Sequence, residues 1–181
     1  MNENLIEQFV SPETIEALKT ILDSDVEDTV ATSASKLADE TFGAGSAFTS
    51  IADKTTDAED KLISSFHNNM LLLIQKTWVE QSDADLKASV LYKLDEFIKE
   101  IKQKDYTKLY QPFFDIVNNT VYLMFGVQTK AKDFADYALR IDPEFGIFWW
   151  YITSLPEEAS TWSPEKIRIA ILLGMYFLAN Y

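Results

Sequence analysis

The chain has 181 residues, of which 47% are hydrophobic and 25% charged, values typical of one globular domain and unlike those of disordered proteins. It contains no cysteine, which excludes disulfides, thiolate nucleophiles, iron–sulfur clusters and cysteine-based zinc sites. The net charge of −13 argues against direct binding of nucleic acid, because an acidic surface repels phosphates.

Apolar spacing predicts three helices in the first part of the chain, at 3–10, 12–23 and 25–42. Residues 1–60 contain 14 acids and only 3 lysines, so they carry −11 of the net charge of −13. The apolar stripes of the second and third helices, which include Val26, are predicted to face inward. The acids left outside are the predicted partner-binding residues: Glu13, Glu16, Glu27, Asp28, Asp39 and Glu40.

The stretch 43–56 is small, polar and begins with Gly43-Ala44-Gly45. It is the best candidate for a flexible connection between an acidic N-terminal helical segment and the main bundle, with room for a short helix at 46–54. One domain spanning 1–181 remains the prediction, because residues 1–42 alone are too short to fold independently. Gly43-Ala44-Gly45 is not a phosphate-binding loop, because it lacks a third glycine, the closing Gly-Lys-Ser/Thr motif and a preceding strand.

The middle of the chain predicts helices at 57–81, 83–104 and 106–126, each with one apolar stripe. Capping boxes support the first two, with Thr56 paired to Glu59 and Ser82 paired to Asp85. Pro112 lies in the second turn of the third helix, where it either kinks the helix or shifts its start.

Three further helices are predicted at 130–141, 143–154 and 164–180. Helix starts are marked three times by a capping residue followed by Pro-Glu, a sequence that suits the first turn and the helix dipole. These starts are Ser11-Pro12-Glu13, Asp142-Pro143-Glu144 and Ser163-Pro164-Glu165.

Two C-terminal segments are unusually apolar. The segment 145–151 contains five aromatic residues in seven, which are either core or partner anchors. The run Ile169–Ala179 is apolar on every side except for Gly174, so we expect this helix to be enclosed by others, with Gly174 allowing close approach. Ten stripe residues are predicted to be buried: Phe66, Met70, Leu73, Leu94, Phe97, Phe113, Val117, Val121, Ile171 and Leu178.

The residues Ala131, Ala138, Pro143, Trp149 and Ile152 resemble the junction of two tetratricopeptide repeats. The match covers about 25 residues, and no second copy occurs at the period of about 34 residues that the family shows. The resemblance therefore implies a helical hairpin at 130–154, and the peptide binding of the family is not carried over to this chain.

No constellation of catalytic or metal-binding residues stands out. His67 is the sole histidine, so pairs of histidine ligands are excluded. The carboxylate pairs Asp133/Asp136 and Glu96/Glu100 are predicted to lie on solvated helix faces among lysines. We predict no catalytic, cofactor-binding or metal-binding residue and no cofactor.

The N-terminus lacks the basic start and apolar run of a signal peptide. The longest apolar run has 11 residues, whereas a membrane-spanning helix needs about 20. We therefore expect a cytoplasmic protein without a membrane span.

Together the patterns predict an all-α fold, a multi-helix bundle or irregular helical array of about seven to nine helices without a sheet. The predicted function is a non-enzymatic protein-interaction module whose partner is another protein. One alternative is an acidic inhibitor of the immunity, antitoxin or phage anti-defence type, which covers a basic, nucleic-acid-binding surface of another protein. A third hypothesis is an enzyme with an unrecognised site built from Asp and Glu.

Overall fold

A computed structural model describes residues 3–43, 48–52, 57–77, 84–125, 132–156, 159 and 161–181. These residues form ten α-helices and one 3₁₀ helix at Tyr106–Lys108, and they contain no strand, which confirms the all-α prediction. The α-helices are α1 (Glu3–Phe9), α2 (Pro12–Asp23), α3 (Glu27–Phe42), α4 (Phe48–Ala52), α5 (Ala58–Lys76), α6 (Ala84–Ile101), α7 (Tyr110–Phe125), α8 (Lys132–Ile141), α9 (Pro143–Ser154) and α10 (Pro164–Ala179). The ten α-helices exceed the predicted seven to nine because α4 is a separate short helix.

Several predicted boundaries are wrong for local reasons; for example, the helix predicted at 83–104 ends at Ile101, before a turn at 102–104. The helix predicted at 57–81 ends at Lys76, and Thr77 is extended. The helix predicted at 106–126 is two elements, since α7 begins only at Tyr110, after the 3₁₀ helix. Pro112 therefore lies in the first turn of α7, where its missing N–H has no helical partner to lose.

The three predicted capping signals are confirmed. The side chains of Ser11, Asp142 and Ser163 accept hydrogen bonds from the third residue of α2, α9 and α10, at 3.2, 3.3 and 3.1 Å. The capping boxes of Thr56 and Ser82 lie outside the described residues. The connection predicted at 43–56 is described only at Gly43 and in α4, where Phe48, Ile51 and Ala52 are buried.

The C-terminal helix α10 lies at the centre of the fold, as predicted. It packs against α3, α4, α5, α7, α9 and the 3₁₀ helix, and its residues 166–178 are all buried. A Cβ atom on Gly174 would meet the ring of Phe113 at 2.9 Å and Ile152 at 3.3 Å. The glycine thus permits the predicted close approach of α10 to its neighbours. In the described part of the chain, none of the helices is both long enough and apolar enough to cross a membrane.

The remaining helices pack around α10 in pairs. Helices α2 and α3 form a hairpin, α6 and α7 pack together beside α5, and α8 and α9 form a second hairpin joined at Asp142. The second hairpin agrees with the tetratricopeptide-like pattern, although Ala131 lies outside the described residues. Its helices touch closely at Gly146, where a Cβ atom would meet the backbone of Leu139 at 2.7 Å.

The aromatic segment 145–151 belongs to the core. All five rings are buried, since α8, α7 and α10 cover α9 on different sides. The Tyr151 hydroxyl donates a 2.7 Å hydrogen bond to the Ala170 carbonyl of α10. Nine of the ten predicted core residues are buried, and Leu73 is half-buried.

Candidate functional site

The acidic hairpin, which we define as α2, α3 and the connecting residues 24–26, carries the six predicted partner-binding acids. Five of them are exposed, and Asp39 is half-buried. The five exposed acids form no ion pair with any residue that the structure describes; they are Glu13, Glu16, Glu27, Asp28 and Glu40. The opposite face of both helices is buried, so these carboxylates are fixed outward by the packing of the hairpin.

The antiparallel course of the hairpin divides the six acids into two groups. Glu27 and Asp28 lie at the tip, where the exposed Asp23 and Asp25 join them. The other four acids lie at the open end of the hairpin, since the end of α3 returns to the start of α2. At 1.5 Å per residue, the two groups are separated by about 18 Å along α3.

Val26 was predicted to face inward, and this prediction is wrong. Val26 is 60% exposed at the tip of the hairpin. The reason is that α3 begins only at Glu27, and Val26 is the N-cap residue of that helix. Valine is a poor N-cap and supplies no side-chain hydrogen bond there. The tip therefore presents one exposed apolar side chain, which is flanked in sequence by four exposed acids.

A buried lysine fixes this tip to the rest of the fold. Lys166 Nζ of α10 donates hydrogen bonds of 2.9 Å to the Leu22 carbonyl and 2.7 Å to the Ser24 carbonyl, and it lies 4.2 Å from the centre of the Trp162 ring. Burial lowers the pKa of Lys166, while the nearby Asp25 and Asp23 act in the opposite direction. The ammonium group thus binds the carbonyl end of α2, where the helix dipole is negative.

A second polar site, the charged cleft, lies on another side of the first turns of α10. It has a volume of about 350 Å³. Its lining residues come from α5, the end of α6, the 3₁₀ helix and α10: Glu59, Lys104, Asp105, Tyr106, Thr107, Pro164, Glu165 and Arg168.

Arg168 is the centre of the charged cleft. Only 8% of its side chain is exposed. Its Nη1 donates a 2.8 Å hydrogen bond to Glu165 Oε1, its Nη2 donates a 2.8 Å hydrogen bond to the Ile51 carbonyl, and its Nε lies 3.7 Å from Glu59 Oε1. One guanidinium group therefore connects α4, α5 and α10.

The other groups of the cleft are also engaged with one another. The Tyr106 hydroxyl donates a hydrogen bond to Glu59, and burial raises the pKa of Tyr106, so the phenol stays protonated. Lys104 Nζ lies 3.7 Å from Glu59 Oε2 and 2.9 Å from Asp60 Oδ1. Because these acids, the phenol and the cations are paired with one another, the cleft is suited to holding α4, α5 and α10 together.

Replacing Arg168 should test this structural role. Arg168→Met leaves Glu59 and Glu165 without their shared cation, and we expect a loss of about 3 kcal/mol of unfolding free energy in a urea titration. The matched control is Arg140→Met, the other arginine of the chain, which is exposed and should change stability by less than about 0.5 kcal/mol. Adding Glu59→Gln and Glu165→Gln to Arg168→Met should recover part of the loss. Equal stability of the two arginine variants would contradict the role.

No family model matches the sequence, and neither the curated proteins nor the solved structures contain a match. The function therefore has to be inferred from the side chains themselves.

The remaining residues singled out in the sequence lie on three helices, α5, α6 and α8. His67 is half-buried on α5, Glu96 pairs with Lys99 at 3.2 Å, and Glu100 is exposed. Asp136 is half-buried, and its Oδ1 has no hydrogen-bond partner, so the prediction of a solvated face is wrong for this residue. The side chain of Asp133 lies outside what the structure describes. Among the described residues, no group of three or more His, Asp and Glu side chains could hold a metal ion.

The sequence patterns did not identify two important residues. Lys166 and Arg168 lie in the first turns of a helix that is otherwise apolar, and both are buried. Buried cations are rare unless they are paired, so their place in an apolar helix was the available signal. Their partners are distant in sequence, which is why the pattern alone could not identify them.

Proposed function

We propose that the protein is a non-enzymatic helical protein-interaction module that binds a basic surface of another protein through the acidic hairpin. The observation that carries this proposal is the set of five exposed carboxylates that have no ion pair among the described residues. Single exposed acids elsewhere, such as Glu100, also lack an ion pair with a described residue, whereas Asp95 and Asp60 lie within 3.3 and 2.9 Å of a lysine. The hairpin differs because it has eight acids and two lysines.

Physical chemistry explains why such a surface suits a partner. Like charges on one face reduce stability by repulsion, and the fold does not need these acids for packing. A basic partner converts the repulsion into attraction, which accelerates association and fixes orientation. Val26 supports the same proposal, because an exposed apolar side chain at the centre of the tip can fill a small pocket on the partner.

A narrower form of this function is an acidic inhibitor that covers a nucleic-acid-binding surface, of the immunity, antitoxin or phage anti-defence type. The observation that favours it is the uneven charge, with −11 of −13 in residues 1–60. Proteins that bind nucleic acid carry basic surfaces, which are complementary to this hairpin. Displacement of the protein from its partner by duplex DNA or RNA would favour the inhibitor over a general interaction module.

Capture from the native host tests the proposal with three forms of the protein. The hairpin variant replaces Glu13, Glu16, Glu27, Asp28, Asp39 and Glu40 by Gln or Asn. The control variant makes the same change at six exposed acids outside the hairpin: Glu7, Asp57, Asp60, Asp85, Asp95 and Glu144. Both variants gain six charge units and lose acids from the first turns of helices, so their thermal stabilities should be similar.

We expect a basic protein to be retained by wild type and by the control variant and to be lost from the hairpin variant, as judged by mass spectrometry. Retention of the same partners by all three forms would contradict the proposal. Loss from both variants would show that overall charge, and not the hairpin, holds the partner.

A further inference from the structure

A groove between α6 and α7 is separate from the acidic hairpin and from the charged cleft. It has a volume of about 280 Å³, slightly below the range of about 300–1,000 Å³ that is usual for small-molecule sites. Its floor is formed by Phe97 and Ile116, whose side chains reach water only slightly, and by the half-buried Pro112.

The walls of the α6–α7 groove are acidic. Glu96 and Glu100 lie one turn apart on α6, and Asp115 lies on α7. Glu100 forms no ion pair with a described residue, and the contact of Glu96 with Lys99 is exposed and therefore weak. Asp115 Oδ1 accepts a 2.9 Å hydrogen bond from Gln111. Three carboxylates thus line one opening, where a cation would relieve their repulsion.

An exposed aromatic ring completes the groove. Tyr92 is 66% exposed and lies one turn before Glu96 on α6. A tyrosine ring attracts cations to its face, and the attraction is strongest for ammonium and guanidinium groups. The groove therefore combines an apolar floor, acidic walls and an aromatic ring.

We infer that the α6–α7 groove binds a single lysine or arginine side chain of the partner. The aliphatic stem lies on Phe97 and Ile116, and the charged head lies among the carboxylates and against Tyr92. Lysine and arginine bury their stems while keeping their heads in polar surroundings, which this arrangement provides. The inference rests on the proposed function, because it gives the basic partner a second contact.

Lys93 gives the inference a distinctive consequence. It is exposed, it lines the same groove, and its ammonium group repels a cationic ligand. Lys93→Gln should therefore strengthen binding of a basic side chain, whereas it would leave binding of a neutral side chain unchanged.

The test uses heteronuclear NMR titration with the peptide Gly-Gly-Lys-Gly-Gly. A matched peptide with norleucine in place of lysine keeps the stem and removes the side-chain charge; both peptides are acetylated at the N-terminus and amidated at the C-terminus, so that no terminal charge remains. We expect the lysine peptide to shift the resonances of Tyr92, Phe97 and Ile116 in a saturable way, and the norleucine peptide to bind at least about fivefold more weakly. Tyr92→Ala and Asp115→Asn should each lower the affinity for the lysine peptide by about threefold. Lys93→Gln should raise this affinity.

Equal binding of the two peptides would overturn the inference, as would shifts that are spread over all exposed acids without saturation. A weaker lysine complex in Lys93→Gln would overturn it as well. The hairpin variant should titrate like wild type, so this experiment and the capture experiment fail separately. If the lysine peptide titrates as expected but the hairpin variant still captures the partner, the groove is upheld and the role of the hairpin is contradicted. If the peptide does not titrate but the hairpin variant loses the partner, the role of the hairpin is upheld and the groove is contradicted.

Discussion

Deletion of residues 164–181 should leave a chain that does not fold. The deleted helix α10 buries 13 consecutive residues, from Lys166 to Leu178, and packs against five other helices and the 3₁₀ helix. Burial of each large apolar side chain contributes about 1.5–3 kcal/mol. Eight of the 13 are Ile, Leu, Met or Phe, so their combined contribution of about 12–24 kcal/mol is as large as or larger than the net stability of a typical domain, about 5–15 kcal/mol.

The deletion also removes both buried cations. Without Lys166 the tip of the acidic hairpin loses its attachment, and without Arg168 the guanidinium that joins Ile51 of α4 to Glu59 of α5 is lost. We expect insoluble protein, or a molten state that keeps far-UV circular dichroism, loses the near-UV signal and binds a hydrophobic dye. The control is deletion of Asn180 and Tyr181, which are exposed and follow the helix. A soluble truncated chain with cooperative unfolding would contradict the central position of α10.

Phe113→Ala should produce a large loss of unfolding free energy for a single core substitution. The ring is buried and lies 6.2 Å from the ring of Phe66 and 5.9 Å from that of Phe97. It also fills the space beside Gly174, so the cavity left by alanine lies at the junction of α5, α6, α7 and α10. Such a cavity costs about 3–5 kcal/mol of unfolding free energy.

Urea denaturation checks this prediction against two comparisons. Leu73→Ala should cost clearly less, because Leu73 is half-buried, and Tyr92→Ala should change stability by less than about 0.5 kcal/mol. If Phe113→Ala unfolds at the same urea concentration as wild type, the assignment of the apolar stripe of α7 is wrong.

Local sequence signals predicted most of the fold. The Pro-Glu starts at Ser11, Asp142 and Ser163 depend only on neighbouring residues, so they could be identified without tertiary contacts. The apolar stripes of α5, α6 and α7 agree with burial because their 3.6-residue period already defines one inner face. Boundary errors occurred where a turn competes with the helix, as at Val26 and at the 3₁₀ helix before α7.

The polar sites were much harder to predict. The charged cleft joins residues of α5, α6, the 3₁₀ helix and α10, and Arg168 and Glu59 are more than 100 positions apart. Lys166 binds the Leu22 carbonyl across an even larger separation. Such pairs depend on the packing of α10, which no local pattern specifies. The aromatic segment could not be assigned for a similar reason, because burial of every face of α9 requires three neighbouring helices.

The acidic hairpin is the opposite case, in which sequence and structure agree on placement. The helical period placed five acids outside: Glu13, Glu16, Glu27, Asp28 and Asp39. The structure leaves the first four exposed and Asp39 half-buried. What the period could not give is the lack of ion pairs between the four exposed acids and the described residues. This isolation makes the hairpin the strongest candidate for contact with a basic partner.

The most direct test of that contact is the salt dependence of the association rate with the captured partner, measured for wild type, the hairpin variant and the control variant. Steering by the hairpin predicts fast association at low salt, a steep decline as ionic strength rises, and a much shallower decline for the hairpin variant. The control variant should keep a slope close to that of wild type. An unchanged rate and slope in the hairpin variant would contradict the proposed function and would leave the acids as a surface for solubility.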